Sequence, residues 1–276
     1  LPIVTVNSPS ICNGTSTTLT ANGANTYSWS PSAGLSATTG ASVTANPTTT
    51  TTCTITGTAV NGCLNTTTAV VTVLPLPTIS VNSPSICNGA SATLTANGAN
   101  TYSWSPSTGL SATTGASVTA NPTTTTTYTI TGTAANGCSN TAQATVTVNA
   151  APSVSAGSNQ TVCAGTAVTL IGSGANTYAW NNSVSNAVAF TPTSTTTYTV
   201  TGTDANGCIG TDQVVVTVNP LPTINGGVDQ TKCAGQTVTL TATGGTTYTW
   251  SRANIAGISN PAANGSGAIS ETLTNT

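Results

Sequence analysis

Apolar and hydroxyl-bearing residues alternate along most of the chain, in short bursts. In "ATLTA" (92–96) Leu94 takes a core position between threonines. In "TYSWS" (101–105) Tyr102 and Trp104 fall on one face, and in "TTTYTITGT" (125–133) Tyr128 and Ile130 do the same. A period of two marks a strand with one buried face, because successive side chains point to opposite sides. "ISV" (79–81), "ASVTANP" (116–122), ended by its proline, and "ATVTV" (144–148) read as further strands. The Asn-Gly of "AANG" makes a hairpin turn, since that pair readily takes φ > 0. Short strands at this density, with a tryptophan in the third, predict an immunoglobulin-like β-sandwich.

The pattern recurs. "LPIVTVNSPSICNG" at Leu1 returns as "LPTISVNSPSICNG" at Leu76, as "APSVSAGSNQTVCAG" at Ala151 and as "LPTINGGVDQTKCAG" at Leu221. The first two units differ at about 14 of 75 aligned positions, the mark of a recent duplication. The chain is thus expected to be all-β, a tandem array of immunoglobulin-like sandwiches of about 70–75 residues each. The expected divisions are 1–75, 76–150, 151–220 and a partial fourth repeat at 221–276. Repeat 4 diverges at "SRANIAGISNPAANGSGAISETLTNT" and has no counterpart of "TYTITGTAANGC", so it is expected to need further chain or a donated strand.

Composition narrows the chemistry. Among 276 residues there are two cations, Lys232 and Arg252, four acids, Asp204, Asp212, Asp229 and Glu271, and no histidine. Residues 1–203 hold no Asp, Glu, Lys, Arg or His. General acid–base catalysis needs a group that titrates near working pH, so no catalytic residue and no enzyme is expected. The acids are scattered singly, which argues against metal sites, and no cofactor is implied. Two cations cannot supply the phosphate contacts of nucleic-acid binding. No apolar run approaches the 18 residues of a membrane span. Abundant Val, Ile and Thr suit strands rather than disorder. The chain has no methionine and reads as a processed chain or a segment of a longer one.

Eight cysteines in a histidine-free chain suit disulfides in an oxidising, extracellular compartment. Cys12, Cys87 and Cys163 precede the second strand of their units, Cys233 holds the same place in repeat 4, and Cys63, Cys138 and Cys208 follow the Asn-Gly turns. Pairing inside each unit is the simple reading. Its two positions, however, lie at opposite ends of an immunoglobulin sandwich, roughly 20 Å apart for a strand of five or six residues. A disulfide needs Cα atoms within about 7 Å. With short linkers, the second-strand end of one unit faces the Asn-Gly turn of the next. Cys12–Cys138 and Cys87–Cys208 are then equally open, leaving Cys63 to a preceding unit and Cys163 to the absent part of repeat 4. Cys53 stands where repeat 2 has Tyr128. It has three open fates: a bond to Cys12, a free buried thiol, or a bond to another chain.

Trp29, Trp104, Trp180 and Trp250, each two residues after a tyrosine, read as core aromatics rather than a sugar-binding stripe. The threonine runs read as strand-forming surface, occurring too sparsely for a continuous ligand-binding array. Most of the sequons at Asn13, Asn65, Asn159, Asn181 and Asn264 are expected to be unmodified.

"CAGTAVTL", "TYAW", "TPTSTTTYTVTGTDANGC" and "VVVTVNPLP" resemble the Ig-like and PKD-like repeats of large bacterial cell-surface, secreted and adhesin proteins. That family is exported by the type IX secretion system, and many of its members are associated with gliding motility. The resemblance covers repeats 1–3, and repeat 4 resembles a PKD-like variant. It implies an extracellular or cell-surface structural protein, a stalk or fibre whose partners are further repeats or copies of itself. The alternatives are a self-assembling filament subunit and an adhesin module that binds surface glycans.

Overall fold

A computed structural model describes residues 1–233, 235–254, 256, 259–272 and 274. The described residues form an all-β protein of tandem immunoglobulin-like sandwiches. Two compact units divide the chain: Leu1–Ala151 with Asn206–Cys208, and Pro152–Ala205 with Ile209–Thr276.

Repeat 1 contributes β1 (Thr5–Val6), β2 (Ser10–Cys12), β3 (Thr17–Asn22), β4 (Thr26–Ser30), β5 (Ser42–Ala45), β6 (Thr51–Thr58) and β7 (Leu64–Leu74). They form two sheets, ordered β1-β3-β5 and β2-β7-β6-β4. In immunoglobulin lettering these are A-B-E and A′-G-F-C. Repeat 2 repeats the plan with β8 (Ser80–Val81), β9 (Ser85–Cys87), β10 (Ala92–Asn97), β11 (Thr101–Ser105), β12 (Ser117–Ala120), β13 (Thr126–Thr133) and β14 (Ser139–Asn149). Repeat 3 has β15 (Gln160–Cys163), β16 (Val168–Thr169), β17 (Thr177–Trp180), β18 (Ala189–Phe190), β19 (Thr196–Thr203) and β20 (Ile209–Asn219). Its A′-G-F-C sheet, β15-β20-β19-β17, is complete, and its second sheet is the pair β16-β18.

The alternation places the core as expected. Leu94, Trp104, Tyr128 and Ile130 are buried together with Val118, Ala144 and Val146. Repeat 1 buries the equivalent Leu19, Trp29, Cys53, Ile55, Val43, Ala69 and Val71. Repeat 3 builds its core from Val168, Leu170, Trp180, Tyr198, Val200, Val214 and Val216.

In repeats 1 and 2 the first strand changes sheets by a side-chain device written in "VNSPS". Asn7 copies a strand pairing, its amide donating to the Thr18 carbonyl (3.0 Å) while its Oδ1 accepts from the Thr20 N–H (2.8 Å). One residue on, Ser8 Oγ accepts from the Val70 N–H of the opposite sheet (3.1 Å), and the Pro9 carbonyl accepts from Thr72 N–H. Asn82 and Ser83 do the same in repeat 2. The short strand that follows (β2, β9 or β15) pairs parallel to the last strand of its repeat. The sequence pattern does not disclose it: three or four residues beside a proline or a polar run carry no readable alternation. The last strand, expected over 144–148, runs from Ser139 to Asn149.

Repeat 4 supplies β21 (Thr237–Leu240), β22 (Thr249–Arg252), β23 (Ala263–Ser266) and β24 (Ile269–Thr272), paired as β21-β24 and β22-β23. It opens as the others do: Tyr248 hydroxyl donates to the Gly245 carbonyl and accepts from its N–H (2.6 Å each), as Tyr27 does with Ala24, Tyr102 with Ala99 and Tyr178 with Ala175.

Candidate functional site

The chemistry of this chain is concentrated in its cysteines, and the fold sets each one's position. Cys12 ends β2 opposite Leu74, the last residue of β7, while Cys63 immediately precedes Leu64, the first residue of β7. An 11-residue strand therefore separates them, roughly 33 Å at about 3.3 Å per residue. Pairing inside the repeat is out of reach by more than the shorter strands expected from sequence implied. Instead Cys12 bonds Cys138, with Cα atoms 5.6 Å apart, and Cys87 bonds Cys208, with Cα atoms 5.5 Å apart. Each bond joins the end of an A′ strand to the F–G turn of the next repeat. The turn is rigid: the Asn136 side chain accepts from the Cys138 N–H (3.0 Å) and donates to the Pro75 carbonyl of the linker (3.1 Å). Gly137, at φ 85°, takes the left-handed conformation the turn requires. The Asn206–Cys208 turn belongs to the same compact unit as its disulfide partner, Cys87.

Four cysteines are free: Cys53 buried, Cys63 half-buried, Cys163 and Cys233 exposed. Cys53 is 2% exposed in the repeat 1 core, and burial pushes its thiol pKa up. With Cys12 taken by Cys138, the Cys12–Cys53 alternative is excluded, and a bond to another chain is disfavoured by burial. The tyrosine it replaces does more in repeat 2, where Tyr128 is fully buried and its hydroxyl donates to the Thr108 carbonyl (2.8 Å).

Trp29, Trp104 and Trp180 are buried, and each indole N–H has a partner: the Gly40 carbonyl, the Gly115 carbonyl and Asn186 Oδ1. Trp250 is half-buried and its Nε1 is buried without a partner. The threonine runs have a structural use that residue pattern alone does not disclose. Thr50, Thr125 and Thr195 each accept, through Oγ1, the N–H of Val73, Val148 or Val218 near the end of the last strand. Three sequon asparagines are likewise committed to main-chain contacts: Asn65 donates to the Pro2 carbonyl, and Asn159 and Asn181 accept from Val215 and Thr199 N–H. Asp212 accepts from the Ala156 N–H (2.8 Å), which with the Gln213 N–H holds its carboxyl below the usual range.

Repeats 1 and 2 carry equivalent open grooves of about 440 and 500 Å³, the second lined by Asn100, Tyr102, Ser103, Thr114 and Thr131 among others. Among the described residues, no group of three or more potential metal ligands is brought together, and no helix is long and apolar enough to cross a membrane.

Residues 75–152 match the family model of an Ig-like domain described as CHU_C associated. Comparison with curated proteins finds no match. Among solved structures, the I9–I11 tandem of titin aligns at 12% identity and TM-score 0.35, covering 79% of this chain and all of that one. Sidekick-1 immunoglobulin domains 1–4 align at 14% identity and TM-score 0.28, covering 79% of this chain and 76% of that one. The eight N-terminal Ig domains of Down Syndrome Cell Adhesion Molecule align at 13% identity and TM-score 0.30, covering 99% of this chain and 51% of theirs.

Proposed function

We propose that this chain is a non-catalytic extracellular structural protein, a load-bearing stalk or fibre of tandem repeats on a bacterial surface or in its matrix. The observation that carries the reading is the overlap of the two disulfide loops. Cys12–Cys138 and Cys87–Cys208 close loops with sequence separations of 126 and 121, and both contain the segment from Cys87 to Cys138. The shortest covalent route from Cys12 to Cys208 runs through that segment alone. Tension on the ends therefore bypasses most of repeat 1 and much of repeat 3. Disulfides that persist fit an oxidising compartment outside the cytosol, and the resemblance to repeats exported by the type IX system supports that route. The four-repeat division at 1–75, 76–150, 151–220 and 221–276 is part of the same proposal, as is association with further repeats or copies of the chain.

Single-molecule pulling tests it. Under oxidising conditions the fully extended chain stays short, and reductant adds on the order of 500 Å of contour length, from about 3.5 Å per released residue. Equal contour lengths in both conditions would refute the mechanical role of the bonds. A second reading, a glycan-binding adhesin, draws on the recurring hydroxyl-lined grooves. Binding in a glycan array that Tyr102→Ala abolishes would favour it, and an empty array would remove it.

A further inference from the structure

We propose that Asn13 and Asn88 are modification sites: each is converted spontaneously, through a succinimide formed with the glycine that follows it, to aspartate or isoaspartate beside an inter-repeat disulfide. The inference rests on the geometry of two kinds of turn and stands whether or not the chain bears load.

A glycine after asparagine places no side chain in the way of its own nitrogen. That nitrogen can reach the asparagine Cγ when both groups are unengaged. The A′–B turn of repeat 1 is Cys12-Asn13-Gly14-Thr15, closed by Thr15 N–H donating to the Cys12 carbonyl (3.0 Å). Repeat 2 closes Cys87-Asn88-Gly89-Ala90 in the same way, from Ala90 N–H to the Cys87 carbonyl (2.9 Å). Gly14 and Gly89, both at φ 85°, fill the third position, where a type II turn demands φ > 0. A turn closed by its fourth residue leaves the N–H of the third outside the bond. Asn13, Gly14, Asn88 and Gly89 are all exposed, and no atom lies within 4 Å of where a Cβ on either glycine would stand. Among the described residues, neither the two glycine N–H groups nor the two side-chain amides have a hydrogen-bond partner.

The F–G turns hold the same dipeptide in the opposite state. There the glycine is the fourth residue, and its N–H is the one that closes the turn: Gly62 donates to the Ala59 carbonyl (2.9 Å) and Gly137 to the Ala134 carbonyl (3.0 Å). The asparagine is engaged as well. Asn61 Oδ1 accepts from Cys63 N–H (3.2 Å), and Asn136 accepts from Cys138 N–H while donating to the Pro75 carbonyl. Nucleophile and electrophile are both tied, so attack requires the turn to open first.

Repeat 3 is a natural control. Ala164 replaces the asparagine, yet Thr166 N–H still closes the turn onto the Cys163 carbonyl (3.1 Å), and Gly165 sits at φ 83°. The turn therefore does not depend on the asparagine side chain.

The Gly14 nitrogen, its proton taken by hydroxide, attacks Asn13 Cγ. The new C–N bond closes the imide ring, the Cγ–Nδ2 bond breaks, and ammonia leaves. Water then opens the ring. Cleavage between Cγ and the glycine nitrogen gives aspartate, and cleavage at the main-chain carbonyl gives isoaspartate, which carries the chain through the side chain. Residues 1–203 hold no Asp, Glu, Lys, Arg or His, so these carboxylates are the first side-chain charges in repeats 1 and 2. Each lies one residue from a bonded cysteine, Cys12 or Cys87. One negative charge at each site takes the formal net charge from −2 to −4.

The test incubates the oxidised full chain in warm neutral buffer and follows each asparagine by peptide mapping, with isoaspartyl methyltransferase reading the isoaspartyl product. Asn13 and Asn88 should convert at least about ten-fold faster than Asn61 and Asn136, which two or more hydrogen bonds protect. The reduced, denatured chain should convert all four alike, which separates the effect of the turn from that of the dipeptide. Isoelectric focusing should show the folded chain drifting to acid. Asn13→Ala with Asn88→Ala should remove most of that drift and keep both disulfides. Equal rates at the four sites in the folded chain would overturn the proposal, as would a folded chain in which Asn13 and Asn88 persist while the denatured chain converts. Loss of either disulfide in the alanine variant would also overturn it, by showing that the asparagine side chains are engaged after all.

Discussion

Repeats 1 and 2 form a natural experiment in core filling, and Cys53→Tyr completes it. The two cores use equivalent residues at every buried F, G, B, C and E position except this one: Leu19 and Leu94, Trp29 and Trp104, Ile55 and Ile130, Val71 and Val146. The site in repeat 2 holds a tyrosine that is fully buried and bonds the Thr108 carbonyl. Ala33 occupies the Thr108 position in repeat 1, and its carbonyl can accept the same bond. Truncating a buried aromatic to alanine costs about 3–5 kcal/mol. Cysteine retains part of that volume, and a buried hydrogen bond adds about 1 kcal/mol. Cys53→Tyr should therefore stabilise repeat 1 by about 2–4 kcal/mol. Hydrogen exchange resolved by peptide reads this directly, with repeat 2 as the internal reference. At 1.4 kcal/mol per factor of ten, β6 amides should slow by about 30-fold to several hundred-fold. Faster exchange in the variant would refute the reasoning, because it would mean that repeat 1 has closed around the sulfur and tyrosine overpacks it. The reciprocal Tyr128→Cys should speed exchange in β13 by a similar factor.

Three further outcomes follow. Under iodoacetamide the exposed Cys163 and Cys233 should alkylate first, Cys63 more slowly and Cys53 only on unfolding, since its thiolate is disfavoured by burial; mass spectrometry showing Cys53 reacting as fast as Cys163 would contradict its placement. Replacing Cys12 and Cys138 together by serine opens a loop with a separation of 126, for which the chain-entropy relation gives about 5 kcal/mol of lost restraint on the unfolded chain; a denaturation difference below about 1 kcal/mol would show that the bond restrains little. Asp212 has a folded pKa below its unfolded value, so its contribution is present above the unfolded value near 4 and disappears as pH falls through the folded one; Asp212→Asn should lower the melting temperature at pH 6 and converge with the parent in stronger acid, and a gap independent of pH would refute the charge-based account.

The sheets were legible where alternation is long enough to read. Leu94 and the Tyr102–Trp104 pair announce their strands because each sits between polar neighbours on a one-sided sheet. β9 is silent by the same measure. Its place is fixed by Asn82 and Ser83 bonding across to two different sheets, a tertiary arrangement that three residues cannot encode as periodicity. The threonines were legible as strand formers but not as acceptors, because Thr125 acquires that role only when β14 passes beside it. Disulfide connectivity was half legible. The short strands expected from sequence weighed against Cys12–Cys63 but left it level with Cys12–Cys138; the 11-residue β7 decides against it, and choosing Cys12–Cys138 requires knowing how one repeat presents its turn to the previous one, which the linker sets and the pattern within a repeat does not. The state of Cys53 became readable only once Cys12 had a partner.

The weak core of repeat 1 and its disulfide bear on each other. A repeat of this size has little core to lose, and cysteine in place of tyrosine makes repeat 1 the one expected to open before repeat 2. Yet residues 13–75 all lie inside the loop closed by Cys12 and Cys138. Load entering at Leu1 passes from Cys12 through sulfur to Cys138 and does not run through the body of repeat 1. Opening that repeat therefore lengthens the oxidised chain very little, although it does so freely once the bond is reduced. The expected pulling trace shows no extension step from repeat 1 under oxidising conditions and a low-force step under reductant. Cys53→Tyr should raise the force of the second and leave the first unchanged. A low-force step in the oxidised chain, abolished by the same substitution, would show that load does cross repeat 1 and that the disulfide does not shield it.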